Sequence, residues 1–231
     1  MSLLELFFML FIKAIPSCPN DMMLVEGNFC PEVEQRCIKW IDKETLPYAR
    51  CAEYASPSVC KSGRVYMKFC IDKYEFADAS GYPMADVSWT EAVKICKEND
   101  KRLCRESEWL FSCEGEAMNP YPYGFKRDAT ICNIDKEHIV EKGTLLDLRQ
   151  PVKANPKCVS IFGVQNMTGN EDENVVLNKP YWTNYGTKQM SGLKGGYFAP
   201  IRARCRPITL GHDEYFHELQ TGFRCCSETI I

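Results

Sequence analysis

The sequence predicts a mixed α+β fold that is rich in loops and stapled by disulfides. Three observations lead there. The first is 14 cysteines in a chain of 231 residues. A chain of that length buries roughly 70% of its unfolded surface and can hold a core without cross-links. So many cysteines therefore point to an oxidising compartment in which they pair. The second is a small number of clear regular elements, one strand-like and two helix-like, before residue 115. The third is the long remainder, broken repeatedly by Gly, Pro and Asn. At roughly 150 residues per domain the length fits one large domain or two small ones. The net charge of −3 argues against a nucleic-acid partner, which needs a basic surface. The composition excludes collagen, coiled coil and bulk disorder.

Taken in order, Leu3–Ile12 is a short apolar run. It is too short to span a bilayer but has the length of a signal-peptide core, and Ala14-Ile15-Pro16-Ser17 supplies small residues for cleavage. Residues 1–17 are expected to be a signal peptide, although Glu5 interrupts the run and Lys13 follows it instead of preceding it. The protein is then secreted, or periplasmic and attached to the cell envelope. Ile15-Pro16-Ser17-Cys18 also partly matches a bacterial lipoprotein box. That makes Cys18 a candidate lipid anchor and the only expected link to a membrane.

Residues 18–64 form a Cys-rich N-terminal extension, expected to be irregular, disulfide-tied and packed on a main domain of residues 65–231. Cys18, Cys30, Cys37, Cys51, Cys60 and Cys70 allow more pairings than the sequence can rank. From Val65 to Asp72 the chain alternates with aromatic and β-branched residues and reads as a strand. Ser88-Trp89-Thr90-Glu91 is a capping box opening an amphipathic helix with Ala92, Val93 and Cys96 on one face. A second helix is expected from about Arg105 to Cys113, with Trp109 and Leu110 inward. Beyond it, Pro120–Gly124, Met167–Asn170 and Gly192–Gly196 break regular structure. Short strand-like pieces follow between Arg202 and Cys226.

Ordered motifs then extend over residues 69–226. They include Phe69-Cys70-Ile71-Asp72-Lys73-Tyr74-Glu75, Val87-Ser88-Trp89-Thr90-Glu91-Ala92 and Tyr121-Pro122-Tyr123-Gly124. Further along stand Cys132-Asn133-Ile134, Met167-Thr168-Gly169-Asn170, Lys194-Gly195-Gly196, Arg202-Ala203-Arg204 and Gly222-Phe223-Arg224-Cys225. In this order they resemble the formylglycine-generating enzyme, or sulfatase-modifying factor, family. The resemblance implies a C-type-lectin-like α+β fold. It also implies bridges Cys96–Cys225 and Cys113–Cys205, with Cys226 competing for the first and Cys104 standing where the family has Pro.

The enzymes of that family convert a peptide cysteine to formylglycine at a copper(I) ion held by two cysteines. The interval that should carry them, Tyr197-Phe198-Ala199-Pro200-Ile201, has none. Copper is therefore not expected, since that soft ion takes thiolates. Two tryptophans of the family's cleft are also replaced, leaving Gly169-Asn170-Glu171-Asp172-Glu173-Asn174. This stretch is either a cleft remade for a polar ligand or an acidic surface loop.

The resemblance implies structural calcium at Asn166, Met167, Gly169, Glu171 and Glu173, and at a second loop opened by Asn133 and Ile134 with a distal partner near Asp147. Such side-chain and carbonyl oxygens suit that ion. Asn166-Met167-Thr168 is formally a glycosylation sequon. His212 and His217, with Asp213 and Glu214 between, form a candidate iron set, and His212 is a candidate catalytic acid or base. Arg202, Arg204 and Arg206 would face one side of a strand, either as a carboxylate clamp or as structural arginines paired with acids. Asp172, Arg202, Arg204 and His212 are the expected ligand cleft.

The preferred reading is a secreted, calcium-stabilised module binding a polypeptide or small molecule without formylglycine formation. The alternatives are a metal-dependent oxidase or oxygenase with a remodelled site, and an authentic formylglycine-generating oxidase.

Overall fold

The computed structural model describes residues 17–46 and 48–230. The expected signal peptide lies, apart from Ser17, outside the described residues. Among those described, no helix is long and apolar enough to cross a membrane.

Regular structure is sparse, as expected. The extension contributes β1 (Met22–Phe29), β2 (Val33–Glu34), β3 (Cys37–Trp40), β4 (Cys51–Tyr54) and β5 (Val59–Cys60). The alternating segment is β6 (Val65–Asp72), followed by helix α1 (Trp89–Glu98), β7 (Arg102–Leu103) and helix α2 (Glu106–Glu114). The rest holds β8 (Val140–Glu141), β9 (Thr144–Leu145), β10 (Asp172–Trp182), β11 (Lys188–Lys194), β12 (Ile208–Thr209), β13 (Thr221–Phe223) and β14 (Cys225–Ser227).

Two four-stranded sheets, ordered β1-β6-β14-β7 and β12-β11-β10-β13, organise the chain. The extension is less irregular than its composition suggests. β1 pairs antiparallel with β6 along its full length, from Met22 opposite Asp72 to Phe29 opposite Val65. Its Gly27, Asn28 and acidic Glu26 obscure the strand signal, and pairing with an apolar neighbour supplies what local propensity lacks. β3 and β4 form a small hairpin, and β2 and β5 on either side of it pair as a second two-stranded antiparallel sheet.

α1 starts at the expected capping box. The Ser88 hydroxyl accepts from the Glu91 N–H, and the Glu91 carboxylate accepts from the Ser88 N–H. Ala92 and Cys96 are buried against Val87, Leu103 and Phe223. α2 lies almost entirely inside. Trp109 and Phe111 pack with Phe69, Ile71, Met167 and Val175 in the main core.

All 14 cysteines are paired in seven disulfides. Cys96–Cys225 and Cys113–Cys205 are present. Cys104 pairs with Cys226, so the two consecutive cysteines hold the last turn of α1 and the residue after β7. Cys132–Cys158, Cys18–Cys70, Cys30–Cys60 and Cys37–Cys51 complete the set. The bridge to Cys70 corrects the lipid-anchor expectation, because the Cys18 sulfur is already bonded and is not free to carry a thioether lipid.

Candidate functional site

β10 begins at Asp172, inside the stretch expected to be either a remade cleft or an acidic surface loop. It is not a surface loop: Glu171, Asp172, Glu173 and Asn174 are all buried. β10 pairs antiparallel with β11, Glu173 lying opposite Lys194. It also pairs in parallel with β13, Asp172 lying opposite Thr221. These neighbours take the acidic run out of water and give each acid a different surrounding.

Glu173 is held by Arg224. The guanidinium donates to both carboxylate oxygens at 2.6 Å, and Trp109 Nε1 donates to Oε2 at 2.8 Å. Both oxygens of Glu173, expected as a calcium ligand, are thus already engaged by an internal cation. Asp147, the expected distal partner of the second site, is likewise engaged by Arg149.

The asparagines behave differently. Asn166 Nδ2 donates to Glu75 and to the Val152 carbonyl, and Asn133 Nδ2 donates to Asn170 Oδ1 and to the Leu148 carbonyl. Their Oδ1 atoms, and Glu171 Oε2, are buried without a partner. Buried polar atoms are nearly always satisfied, and buried oxygens left without a donor suit a cation. The expected opener of each calcium loop is thus the residue with a vacant oxygen. Gly169 holds the loops together at φ +80°. A Cβ there would lie 2.3 Å from the Asn133 carbonyl oxygen. Met167 is fully buried, and Ile134 packs behind Asn133 in a small core with the Cys132–Cys158 bridge. Asn166 is 2% exposed, which excludes a glycan in the folded chain.

Glu75, which no single motif marks as a site residue, is the hub of this region. It accepts from Asn166 and Asn170, both at 2.8 Å. Burial pushes its carboxyl up to about 7, with Arg224 opposing and Glu173 reinforcing the shift. Burial drives Glu171 well above the carboxylate range as well.

The expected ligand cleft is gathered in one place. A cavity of about 440 Å³ is lined by Asp172, Arg202, Arg204 and His212, with Tyr48 and Gly196 among its other walls. Asp172 Oδ1 accepts the Gly196 N–H at 2.9 Å. Gly196 has φ +72°, and a Cβ there would strike Ala203 at 2.9 Å, so glycine is needed to bring this amide to the carboxyl. Burial pushes Asp172 up to about 7, with the Gly196 amide and Arg202 opposing. His212 stacks on Phe216 with ring centroids 3.8 Å apart.

The three alternating arginines do not share a face, because residues 202–206 form irregular coil and bends and not a strand. Arg202 and Arg204 line the cleft. Arg206 turns away and forms a bidentate pair with buried Glu114. The iron set is not assembled either. His217 Nδ1 lies 2.8 Å from Asp86, outside the cleft that His212 lines. Among the described residues no group of three or more His, Cys, Asp or Glu is placed to hold a metal. Copper thiolates have no donors, since no cysteine is free.

Tyr48 and Tyr54 lie outside the motifs. The Arg202 guanidinium carbon lies 5.2 Å from the centre of the Tyr48 ring, and that of Arg204 lies 5.3 Å from the Tyr54 ring. Cation–aromatic contacts between segments so distant in sequence leave no local signal.

The sulfatase-modifying factor enzyme 1-like domain family matches residues 39–229. Formylglycine-generating enzyme of Mus musculus is 28% identical over 158 residues, spanning 65% of this chain and 40% of that protein. Its Bos taurus counterpart is 27% identical over 156 residues, spanning 64% and 39%. The matched region is thus about two fifths of those relatives' length. Among solved structures, CarF superposes with a TM-score of 0.61 at 16% identity, covering 91% of this chain and 98% of that one. PvdO from Pseudomonas aeruginosa does so with 0.54 at 16%, covering 90% and 94%. At these identities they establish the fold alone. With the motifs in order and the family matched from residue 39 to 229, the chain belongs to the family of sulfatase-modifying factor enzyme 1-like domains.

Proposed function

We infer that this chain is an extracytoplasmic, calcium-stabilised binding module for a polypeptide or small molecule, built on the family's fold without copper-dependent formylglycine chemistry. One observation carries the reading. The cleft holds Asp172, Arg202, Arg204 and His212, while all 14 cysteines are in disulfides. Charged and polar groups remain to hold a ligand, and no thiolate remains to hold copper(I) or to exchange with a substrate thiol. Seven disulfides support an oxidising compartment.

Calcium fits the vacant oxygen of Asn166, together with Glu171 and carbonyls of the Gly169 turn, and a second ion fits the vacant oxygen of Asn133. Each ion would supply charge neutralisation and loop cross-linking. Asn133 and Asn166 orient those oxygens through the hydrogen bonds their nitrogens make to Leu148, Asn170, Glu75 and Val152.

The test is incubation of the oxidised protein with a Cys-x-Pro-x-Arg peptide, copper(I) and oxygen, followed by mass spectrometry. Unchanged peptide is expected. Appearance of formylglycine overturns the reading.

A further inference from the structure

The two arginines of the cleft differ from most others in the chain. Arg50, Arg102, Arg127, Arg149, Arg206 and Arg224 each lie within 4.0 Å of a carboxylate. Arg202 and Arg204 do not, among the described residues. Each makes a single side-chain hydrogen bond there. Arg202 donates to the Ile208 carbonyl at 3.2 Å, and Arg204 donates to Gln35 Oε1 at 3.3 Å. A guanidinium has five N–H donors in a rigid fork, so most of each fork is left to the cleft. Both side chains are nevertheless partly buried, and something must fix their position.

That support comes from the Cys-rich extension. Tyr48 lies under Arg202 and Tyr54 lies under Arg204. Both rings belong to the segment around the β3–β4 hairpin, clasped by Cys37–Cys51. Arg50 pairs with Asp42 inside the same segment and fastens it to the body by pairing with Asp135. Tyr54 is further braced edge-on by Tyr121. An aromatic face holds a guanidinium in plane and leaves its N–H edges free.

We propose that the extension makes the cleft a carboxylate-binding site, in which Arg202 and Arg204 are the ligand's partners and Tyr48 and Tyr54 are positioning residues that hold the two forks. Bidentate pairing of a planar fork with a carboxylate matches the donors left free. The carboxylate comes from an acidic peptide side chain or from a free small acid. The proposal rests on the cleft being a binding site.

Calorimetric titration of the full oxidised protein in calcium buffer tests it. The probes are glutarate, acetyl-Ala-Glu-Ala-amide, acetyl-Ala-Gln-Ala-amide and acetyl-Ala-Lys-Ala-amide. The Glu peptide or glutarate is expected to bind at least about tenfold tighter than the Gln peptide, the scale of charge-assisted hydrogen bonds. Which of the two binds better distinguishes a peptide from a free acid as the source. Arg202→Gln and Arg204→Gln should abolish the preference. Tyr48, 67% exposed, can be changed without opening the core. Tyr48→Leu should weaken carboxylate binding by about two- to fivefold, the scale of an exposed cation–π contact. Tyr48→Phe should retain it, and the melting temperature of both should match the wild type. Binding of the Gln or Lys peptide as tightly as the Glu peptide overturns the proposal while leaving a binding cleft. Failure of every probe to bind at millimolar concentration overturns both. Equal loss in the Leu and Phe variants overturns the positioning role of Tyr48.

Discussion

Arg224 and Glu173 face each other with 0% and 1% of their side chains exposed, joined by two parallel hydrogen bonds of 2.6 Å. The pair links β10 to the turn between β13 and β14. Arg224 also donates to the backbone carbonyls of Asp72 and Gln165. The guanidinium is thereby the centre on which both sheets and the loop of Gln165 meet. Removing one partner of a buried pair leaves the other as an uncompensated buried charge, which costs about 3–5 kcal/mol. Arg224→Met is therefore expected to lower stability by that amount in urea unfolding. Glu173→Gln, which keeps an acceptor for Arg224 and Trp109, should cost less. Equal and small losses would show that the pair is not the anchor described.

Calcium should stabilise the chain through Asn133 and Asn166. Selective binding to the folded state adds about 2.7 kcal/mol when the ion is at 100 times its dissociation constant. For a chain of this size that corresponds to a rise of roughly 5–10 °C in melting temperature between chelator and calcium. Asn166→Ala and Asn133→Ala should each shrink the rise, and Glu173→Gln should leave most of it, because Arg224 already holds that carboxylate. Melting curves that coincide with and without calcium would remove the ion from the account.

Much of this architecture is legible because it rests on short-range rules. The Ser88–Glu91 capping box and the alternation from Val65 to Asp72 are local, and the structure places α1 and β6 there. β1 escaped because Glu26, Gly27 and Asn28 make a poor strand until β6 lies beside them. β10 escaped because its first residues are acids that only β11 and β13 take out of water. Asp172, Arg202, Arg204 and His212 were readable as cleft residues from their chemistry and motif positions. The tyrosines beneath the arginines and the hub role of Glu75 were not, since each depends on contacts across long stretches of chain.

The paired cysteines 225 and 226 predict a strong non-additivity. Cys96–Cys225 and Cys104–Cys226 each span more than 120 residues, but with Cys113–Cys205 in place either alone closes a ring of roughly 30–40 residues and would stabilise by about 4 kcal/mol in the chain-entropy model. With one bridge in place, the other closes a ring of only about ten residues, for which the same model gives about 2.5 kcal/mol. Replacing both cysteines of either bridge by Ser should thus cost about 2.5 kcal/mol, and replacing all four about 6.5 kcal/mol. A cost for the quadruple variant equal to the sum of the two double variants would show that the bridges act independently.

Lys194 gives a pH dependence of known sign. Its side chain is fully buried, with one hydrogen bond, to the Arg206 carbonyl at 3.0 Å, and its ammonium position lies 5.4 Å from the Trp109 ring centre. Burial lowers its pKa from 10.5 to about 7, against the opposing pull of Glu106 and Glu114. Between pH 7 and 10.5 the unfolded chain therefore binds a proton that the folded chain does not. Stability must rise with pH across that window, by up to about 1.4 kcal/mol per unit. Below pH 7 both states are protonated and the contribution is flat. Glu114 acts in the neighbouring window. Burial raises it to about 7 despite Arg206, so its contribution falls as pH rises from 4.5 to 7. Urea unfolding at pH 7, 8 and 9 should show the wild type gaining on Lys194→Met at each step. Parallel profiles for the two proteins would mean that the amine stays charged inside the fold.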